Sequence, residues 1–511
     1  MSSKLSNKIT PGIVNVPGRT PDAQTLTEHL LAQDREKNHC FFNDRGFHNH
    51  LSHHILAAYD LGATGKLMQA IFDTEQETQR PRELPVSKGK EAKAPEKITP
   101  QNFSQFLGKE EYYTSYLDFF TEQIAEHGVS ESLETFVFHA TVNVDGIDML
   151  SRFCSGAYHN LIQAGYGVEF GSNALVAQGL AQAAVHGASL VELFDFARPE
   201  ASFAKLTASA QEQPHKESSS LLAILSEVYD SEVLHPIMPY DPDMLLSARR
   251  KAVMQGERPE AIRRISSKWW RTASPDKEAL TLDTKLEELF WATTLLLIGS
   301  GKHGRAPRLD FFIMHMLNCT LFLPSLLRSI PSNESKVKLM QGFCRTMIMD
   351  LLTRGRPRID TRLAMSYASD PRPPKVAREK ENGKDANVKQ HGVGDVSDQG
   401  MYNPWHNIVR SVVHAPDAHT IKAVRALYYA AQHYGHKEAD DIPGAFKEGE
   451  DGQKVEVLQG LGQVDGTVFV RAAGVVMDTL GWVTHGQKPG EWDFSGLGWE
   501  DAWKTADKKK N

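Results

Sequence analysis

The chain has 511 residues, 41% apolar and 24% charged, with 57 Lys and Arg against 64 Asp and Glu for a formal net charge of −7. That balance suits one large or two to four smaller globular domains, and it argues against a nucleic-acid binder, which would carry a basic face. The most apolar stretches, WATTLLLIG near Leu295 and FFIMHMLNCTLFL near Met316, are too short or too polar for a span, so no membrane association is expected.

The amino terminus, MSSKLSNKITPG, lacks the apolar core of a secretory signal. The first element with chemical content is GFHNHLSHHILAAYDLGA, residues 46–63, which places His50, His53 and His54 at spacings of three and four on a predicted helix. From Glu110 onward, EEYYTSYLDFFTEQIAEHG sets Tyr113, Tyr116, Leu117, Phe120 and Ile124 on one stripe that stops at Gly128. Helical spacing recurs in SLETFVFHA, NALVAQGLAQAAVHGASLVELFDFA, SLLAILSEVY, KLEELFWATTLLLIG, KVKLMQGFCRTMIMDLL and DAHTIKAVRALYYAAQHYG. A short strand-like run in DGTVFVRAAGVV continues as helix. The reading is a mainly α protein, a single large all-helical domain whose helices meet through broad apolar faces. Four segments, 77–101, 207–219, 368–403 and 437–455, are polar or Pro-bearing and are read as long mobile surface loops.

Four cysteines, at 40, 154, 319 and 344, form no CxxC pair. That usage fits a reducing compartment, here the cytoplasm, and excludes a disulfide scaffold or Cys-rich zinc site. Histidine is abundant, 21 residues, roughly twice the share expected of average composition. On a helix, residues four apart stand on the same face, so His50 and His54 could converge on one ion, although Leu51 replaces the glutamate of an HExxH protease. The plain alternative is a hydrogen-bonded histidine-rich helix start. His159 and His315 stand in apolar helical contexts, the latter flanked by Phe311, Phe312, Ile313, Met314, Met316 and Leu317. A buried imidazole needs a partner, which is either a metal or a backbone carbonyl. His186 and His139 are similar candidates. Asp350, in CRTMIMDLLTRG, is a carboxylate among apolar residues and needs a cation; Arg345, Arg354 or Arg356 would be an ordinary ion-pair partner. GSGKHG at 299–304 formally matches GxGxxG, but it follows helical spacing, precedes Arg305-Ala306-Pro307 and has no acid about 20 residues on, so it is read as a turn between helices.

These blocks carry a resemblance. FFNDRGFHNHLSHHILAAYDLGA, YHNLIQAGYGVEFG, LLLIGSGKHGRAPRLDFFIMHMLN, NIVRSVVHAPDAHTIKAVRALYYAAQHYG and WDFSGLGWEDAW resemble, in order from about residue 40 to 503, the questin oxidase family of fungal secondary metabolism. The resemblance implies an oxygenase that uses O2 to open the central ring of an anthraquinone of the questin or emodin type, an aromatic polyketide. It implies either a mononuclear non-haem iron(II) site of four histidines and one carboxylate-bearing side chain, which can be a carboxylated lysine, or Baeyer–Villiger-type oxidation with NADPH. Carried over, the metal set is His50, His54, His159 and His315. The helix 337–354 has lysines only at its start, Lys336 and Lys338 flanking residue 337, so Asp350 is nominated as fifth ligand. His53 in place of His54, or His186 in place of His159, remains open. Phe47, Tyr166, Phe311 and Phe312 are candidates to line a slot for a flat substrate. Two rivals stand beside this reading: a metal-free, flavin-independent NADPH-dependent Baeyer–Villiger monooxygenase, and a helical scaffold of the same family without activity.

Overall fold

The computed structural model describes residues 5, 8–84, 97–144, 146–194, 219–270, 278–374, 402–449 and 452–504. Most of the segments expected as loops, namely 85–96, 207–218 and 375–401, lie outside these residues.

Periodicities of three and four residues become helix along the rest, and the fold is mainly α. Helix α1 (Pro21–Lys37) begins at Thr20, whose hydroxyl accepts from the Ala23 N–H, with Pro21 in the first turn where no N–H is needed. Helices α2 (Leu51–Asp60) and α3 (Gly65–Gln76) pack against it. Helix α4 (Tyr113–Leu133) is interrupted at Gly128, which takes φ 81° just where the apolar stripe ends. Helices α5 (Met149–Cys154), α6 (His159–Glu169) and α7 (Asn173–Val185) follow. The backbones of α6 and α7 nearly touch: a Cβ on Gly179 would lie 2.5 Å from the Ala164 nitrogen, so glycine alone permits that approach.

Then come α8 (Leu221–Asp230), α9 (Leu246–Val253), α10 (Arg258–Ser266), α11 (Glu278–Gly299), α12 (Phe311–Thr320), α13 (Leu323–Ser329), α14 (Asn333–Thr353), α15 (Thr361–Ser366), α16 (Pro404–Val412), α17 (Ala418–Tyr434), α18 (Val468–Leu480) and α19 (Glu500–Lys504). Residues 299–304 close α11 and enter the connection to α12, and are not a phosphate loop. One apolar core, from Leu5 and Ile9 to Trp492, runs through these helices and reaches well before residue 40. Among the described residues, no single helix is long and apolar enough to cross a membrane.

Segment 437–455, expected as an open loop, corrects that reading. Strands β1 (Phe446–Glu448) and β2 (Lys454–Glu456) pair antiparallel, Phe446 opposite Glu456. The Glu456 carboxylate accepts the Gly460 and Gly462 N–H groups at 2.6 and 2.8 Å, and the Val457 N–H reaches the Ala445 carbonyl. Polar composition marked the segment as exposed but did not reveal these backbone partners.

Three helices share a layout that matters for function. Helix α2 runs from His50 to Asp60, α6 from His159 to Glu169, and α17 carries His419 and, six residues on, Arg425. Arg425 is fully buried; its Nε donates to Asp60 at 2.9 Å and it also pairs with Glu169. The offset of four residues, about 6 Å of helix rise, is within the reach of an arginine side chain. The amino-terminal strap joins the same knot, with Val14 and Asn15 N–H on Asp60 at 3.2 and 3.1 Å and Ile13 N–H on Glu169 at 3.0 Å.

Candidate metal centre and cavity

The opposite ends of α2 and α6 and the first turn of α17, together with α12, bring four histidines together. One ring nitrogen from each of His50, His159, His315 and His419 lies within 4.8 Å of all the others. Each is fixed by its position at or near a helix start. His50 is the residue capping α2, with φ −107° and ψ −1°. His159 opens α6 after Gly156, Ala157 and Tyr158, three consecutive residues with φ of 65°, 51° and 65°. Left-handed backbone at a tyrosine and an alanine costs energy, and such strain concentrates at functional sites. His315 lies in α12 behind the cap Asp310, and His419 in α17 behind the cap Asp417.

The ring orientations are set by hydrogen bonds on the outer side. His159 Nδ1 lies 2.6 Å from the Gly156 carbonyl, His315 Nδ1 2.7 Å from the Phe311 carbonyl, and His419 Nδ1 2.8 Å from the Asp417 carboxylate. A carbonyl or carboxylate only accepts, so Nδ1 carries the proton and Nε2 keeps its lone pair. Among the described residues, the Nε2 atoms of His315 and His419 are buried without a hydrogen-bond partner, and His50 Nε2 faces His159 Nε2 at 2.8 Å. Burial, with the charge of Lys422 adding to it, lowers the pKa of all four rings, and neighbouring imidazoles lower those of His50, His159 and His315 further. Neutral imidazoles with inward lone pairs and outer-side carbonyl or carboxylate partners are the arrangement metal-ligating histidines adopt. The donor set fits iron, copper, zinc or nickel.

Lys422 stands one turn beyond His419 on α17. It is buried, its amine has no hydrogen-bond partner among the described residues, and its charge acts on all four rings. Burial pushes the amine down to about 7, against the pull of Asp417 and Glu75.

The sequence expectations are met unevenly. His50, His159 and His315 come together, whereas His54 and Asp350 stand elsewhere. His54 turns to α3, where its Nδ1 meets Glu75 in a very short contact; His50 caps the helix end while His54, a full turn on, is claimed by the neighbouring helix. The Asp350 carboxylate is held at 3.0 Å by Arg250 of α9, a partner 100 residues away, so its burial is answered by an ion pair and not by an ion in the histidine centre. His53 is not a substitute, because its Nε2 is engaged by Gln163 Oε1 at 2.7 Å. His419, Asp417 and Lys422 were missed. The signal for them was a run of His, Lys and Arg three apart, at 419, 422 and 425, on an otherwise apolar helix.

A cavity of about 1620 Å³ opens beside the histidines, with His50, His159 and His419 in its wall. Phe47, Phe311 and Phe312 line it, and Phe494 stacks on Phe311 at 4.4 Å. Tyr166 does not. Its ring is fully buried against His53 at 4.9 Å and Phe322 at 4.4 Å, two turns along α6 from His159 and away from the cavity wall. The volume exceeds that of an ordinary small-molecule pocket and holds a flat polycyclic molecule with room to spare.

Fold and site thus define a mainly α-helical protein with a largely buried four-imidazole centre opening on a large, mostly apolar cavity. The family model described as questin oxidase-like matches residues 47–427, and the chain belongs to that family. The chain is 25% identical to the questin oxidase of Aspergillus fumigatus, over 97% of this chain and 96% of that protein. It is 26% identical to Baeyer-Villiger oxidase mdpL of Emericella nidulans, over 97% and 99%, and 28% identical to Baeyer-Villiger oxidase AgnL3 of Paecilomyces divaricatus, over 70% and 74%.

Proposed function

We propose that this protein is an oxygenase of fungal secondary metabolism that opens the central ring of a hydroxylated anthraquinone with O2 at a mononuclear non-haem iron. The observation that carries the reading is the set of four neutral imidazoles, three with Nδ1 tied outward, converging beside a cavity of polycyclic size. Relatives named as questin oxidase and Baeyer-Villiger oxidases support the reaction class.

His50, His159, His315 and His419 are the four nitrogen ligands, and Lys422 replaces Asp350 as the source of the carboxylate. An unpartnered buried amine is costly as it stands. Added to CO2, it forms an N–C bond and releases one proton, giving a carbamate whose oxygen serves as ligand. The amino-terminal ends of α2, α6 and α17, carrying partial positive charge, favour that anion. When bound, iron(II) supplies the one-electron chemistry that lets O2 react with a closed-shell aromatic. The protein's own contribution is to position: Phe311 and Phe312 present an apolar wall against a flat ring system, and the buried histidine floor keeps bulk water from the reacting centre.

The test is metal content per chain in protein purified without chelator, read together with O2 uptake on a hydroxyanthraquinone. About one iron per chain, with uptake that stops when His419 is changed to Gln, is the expected result. Failure to take up iron(II) anaerobically, with NADPH consumed in the presence of the anthraquinone, would replace this mechanism with the metal-free NADPH-dependent one.

A further inference from the structure

Two histidines lie at the cavity wall outside the four-imidazole set. His48 stacks flat on His159, ring centroids 4.3 Å apart and 8° between planes, and His186 stacks on the other side of His48 at 5.5 Å and 7°. Both line the cavity. They meet over Gly156: a Cβ built there would lie 2.6 Å from His186 Nε2 and 3.0 Å from His48 Nε2. No side chain fits, so the bare glycine that orients His159 through its carbonyl also makes room for the two further nitrogens.

The protonation pattern defines what this pair takes. His186 Nδ1 faces the Gly187 carbonyl at 3.1 Å, which places the proton on Nδ1 and leaves Nε2 as an acceptor. Burial holds His186 down to about 4, so the ring is neutral through the working range. Among the described residues, His48 Nε2 is buried without a hydrogen-bond partner. Arg152, a cation on α5, is spent on the carbonyls of Ile147, Gly146 and His186 itself.

We propose that His186, steadied by its stack on His48 over Gly156, is a substrate-positioning residue that accepts a hydrogen bond from a phenolic hydroxyl of the aromatic substrate. This rests on the reading of the cavity as an anthraquinone site and adds to it the group recognised and the residue that recognises it. The stack extends face to face from His159, so a hydroxyl held here fixes which ring of a polycyclic molecule lies against His159.

The experiment is direct binding to the iron-free full-length protein, by absorbance titration, of a hydroxyanthraquinone and of the same compound with its hydroxyls O-methylated. The parent protein binds the hydroxylated compound more tightly. His186→Phe, which keeps the ring stack and removes the acceptor, weakens the hydroxylated compound about three- to tenfold and leaves the methylated one unchanged, so the preference collapses. His186→Gln, whose amide oxygen can accept, restores part of the preference, and iron uptake stays at the parent level in both variants. Equal losses on both compounds, an unchanged preference, or loss of iron uptake overturns the proposal while leaving the anthraquinone reading intact. A parent protein that binds both compounds equally also overturns it, whether or not either variant folds. A parent that binds neither removes the anthraquinone reading together with this one.

Discussion

Opposite ends of α2 and α6 hold two buried polar clusters of opposite character, one joined by the first turn of α17 and the other by its middle. At one end the single guanidinium of Arg425 is shared by Asp60 and Glu169, and backbone N–H groups of residues 13–15 also donate to the two carboxylates. A buried cation there meets buried anions directly. At the other end four imidazoles turn lone pairs toward each other, and the Lys422 amine has no hydrogen-bond partner among the described residues. The first cluster pairs its ions within the chain; the second gathers donors that could hold a metal ion. Burial alone does not separate a structural polar cluster from a functional one, but the account of partners does.

The largest expected effect breaks the first cluster. Arg425→Met leaves two buried carboxylates facing each other and costs about 3 to 5 kcal/mol, read as a fall in the denaturant midpoint. The triple variant Arg425→Met, Asp60→Asn, Glu169→Gln recovers much of that loss. The reverse pattern is expected at the other end: His419→Gln abolishes iron binding and lowers turnover by at least about a hundredfold, with a much smaller stability change, measured by metal analysis and thermal melting side by side.

Lys422→Met sharpens the contrast. In the iron-free parent at low CO2 the native amine titrates near 7 and the unfolded one near 10.5. Between those values the unfolded state binds more protons, so stability rises with pH, by up to about 1.4 kcal/mol per unit. Below 7 both states are protonated and the penalty is fully present. Lys422→Met removes this slope and stabilises the iron-free protein at pH 7, while losing activity; a slope that persists in the variant removes Lys422 as its source. The smallest effect on the centre is expected from Asp350→Asn, which weakens the ion pair with Arg250 but leaves iron content at the parent level.

How much of this was legible in the sequence follows from where partners come from. The helices were readable because their apolar spacing is local, and Gly128 ended its stripe as the spacing indicated. His159 and His315 stood out as polar residues in apolar surroundings. His419, Lys422 and Arg425 did not, because three polar residues three apart read as a solvated stripe until α2 packs on that face. His50 and His54 share a helical face, yet only the glutamate on α3 distinguishes them. Asp350 was recognisable as a buried acid, but its partner came from α9 and not from the nearby Arg345, Arg354 or Arg356. Local spacing reveals that a polar group is out of place; the contact across the fold decides what it does.

The Arg425–Asp60 pair has a further consequence for a chain made from its amino terminus. The two residues are 365 positions apart, and the strap at residues 13–15 closes on the same carboxylates. Translation at about 5 to 20 residues per second delivers Asp60 and Glu169 well before their cation. Through that interval, tens of seconds long, the nascent helices carry two acids that cannot be buried as anions without Arg425. The cation that answers them arrives only with α17, the helix that also carries His419 and Lys422.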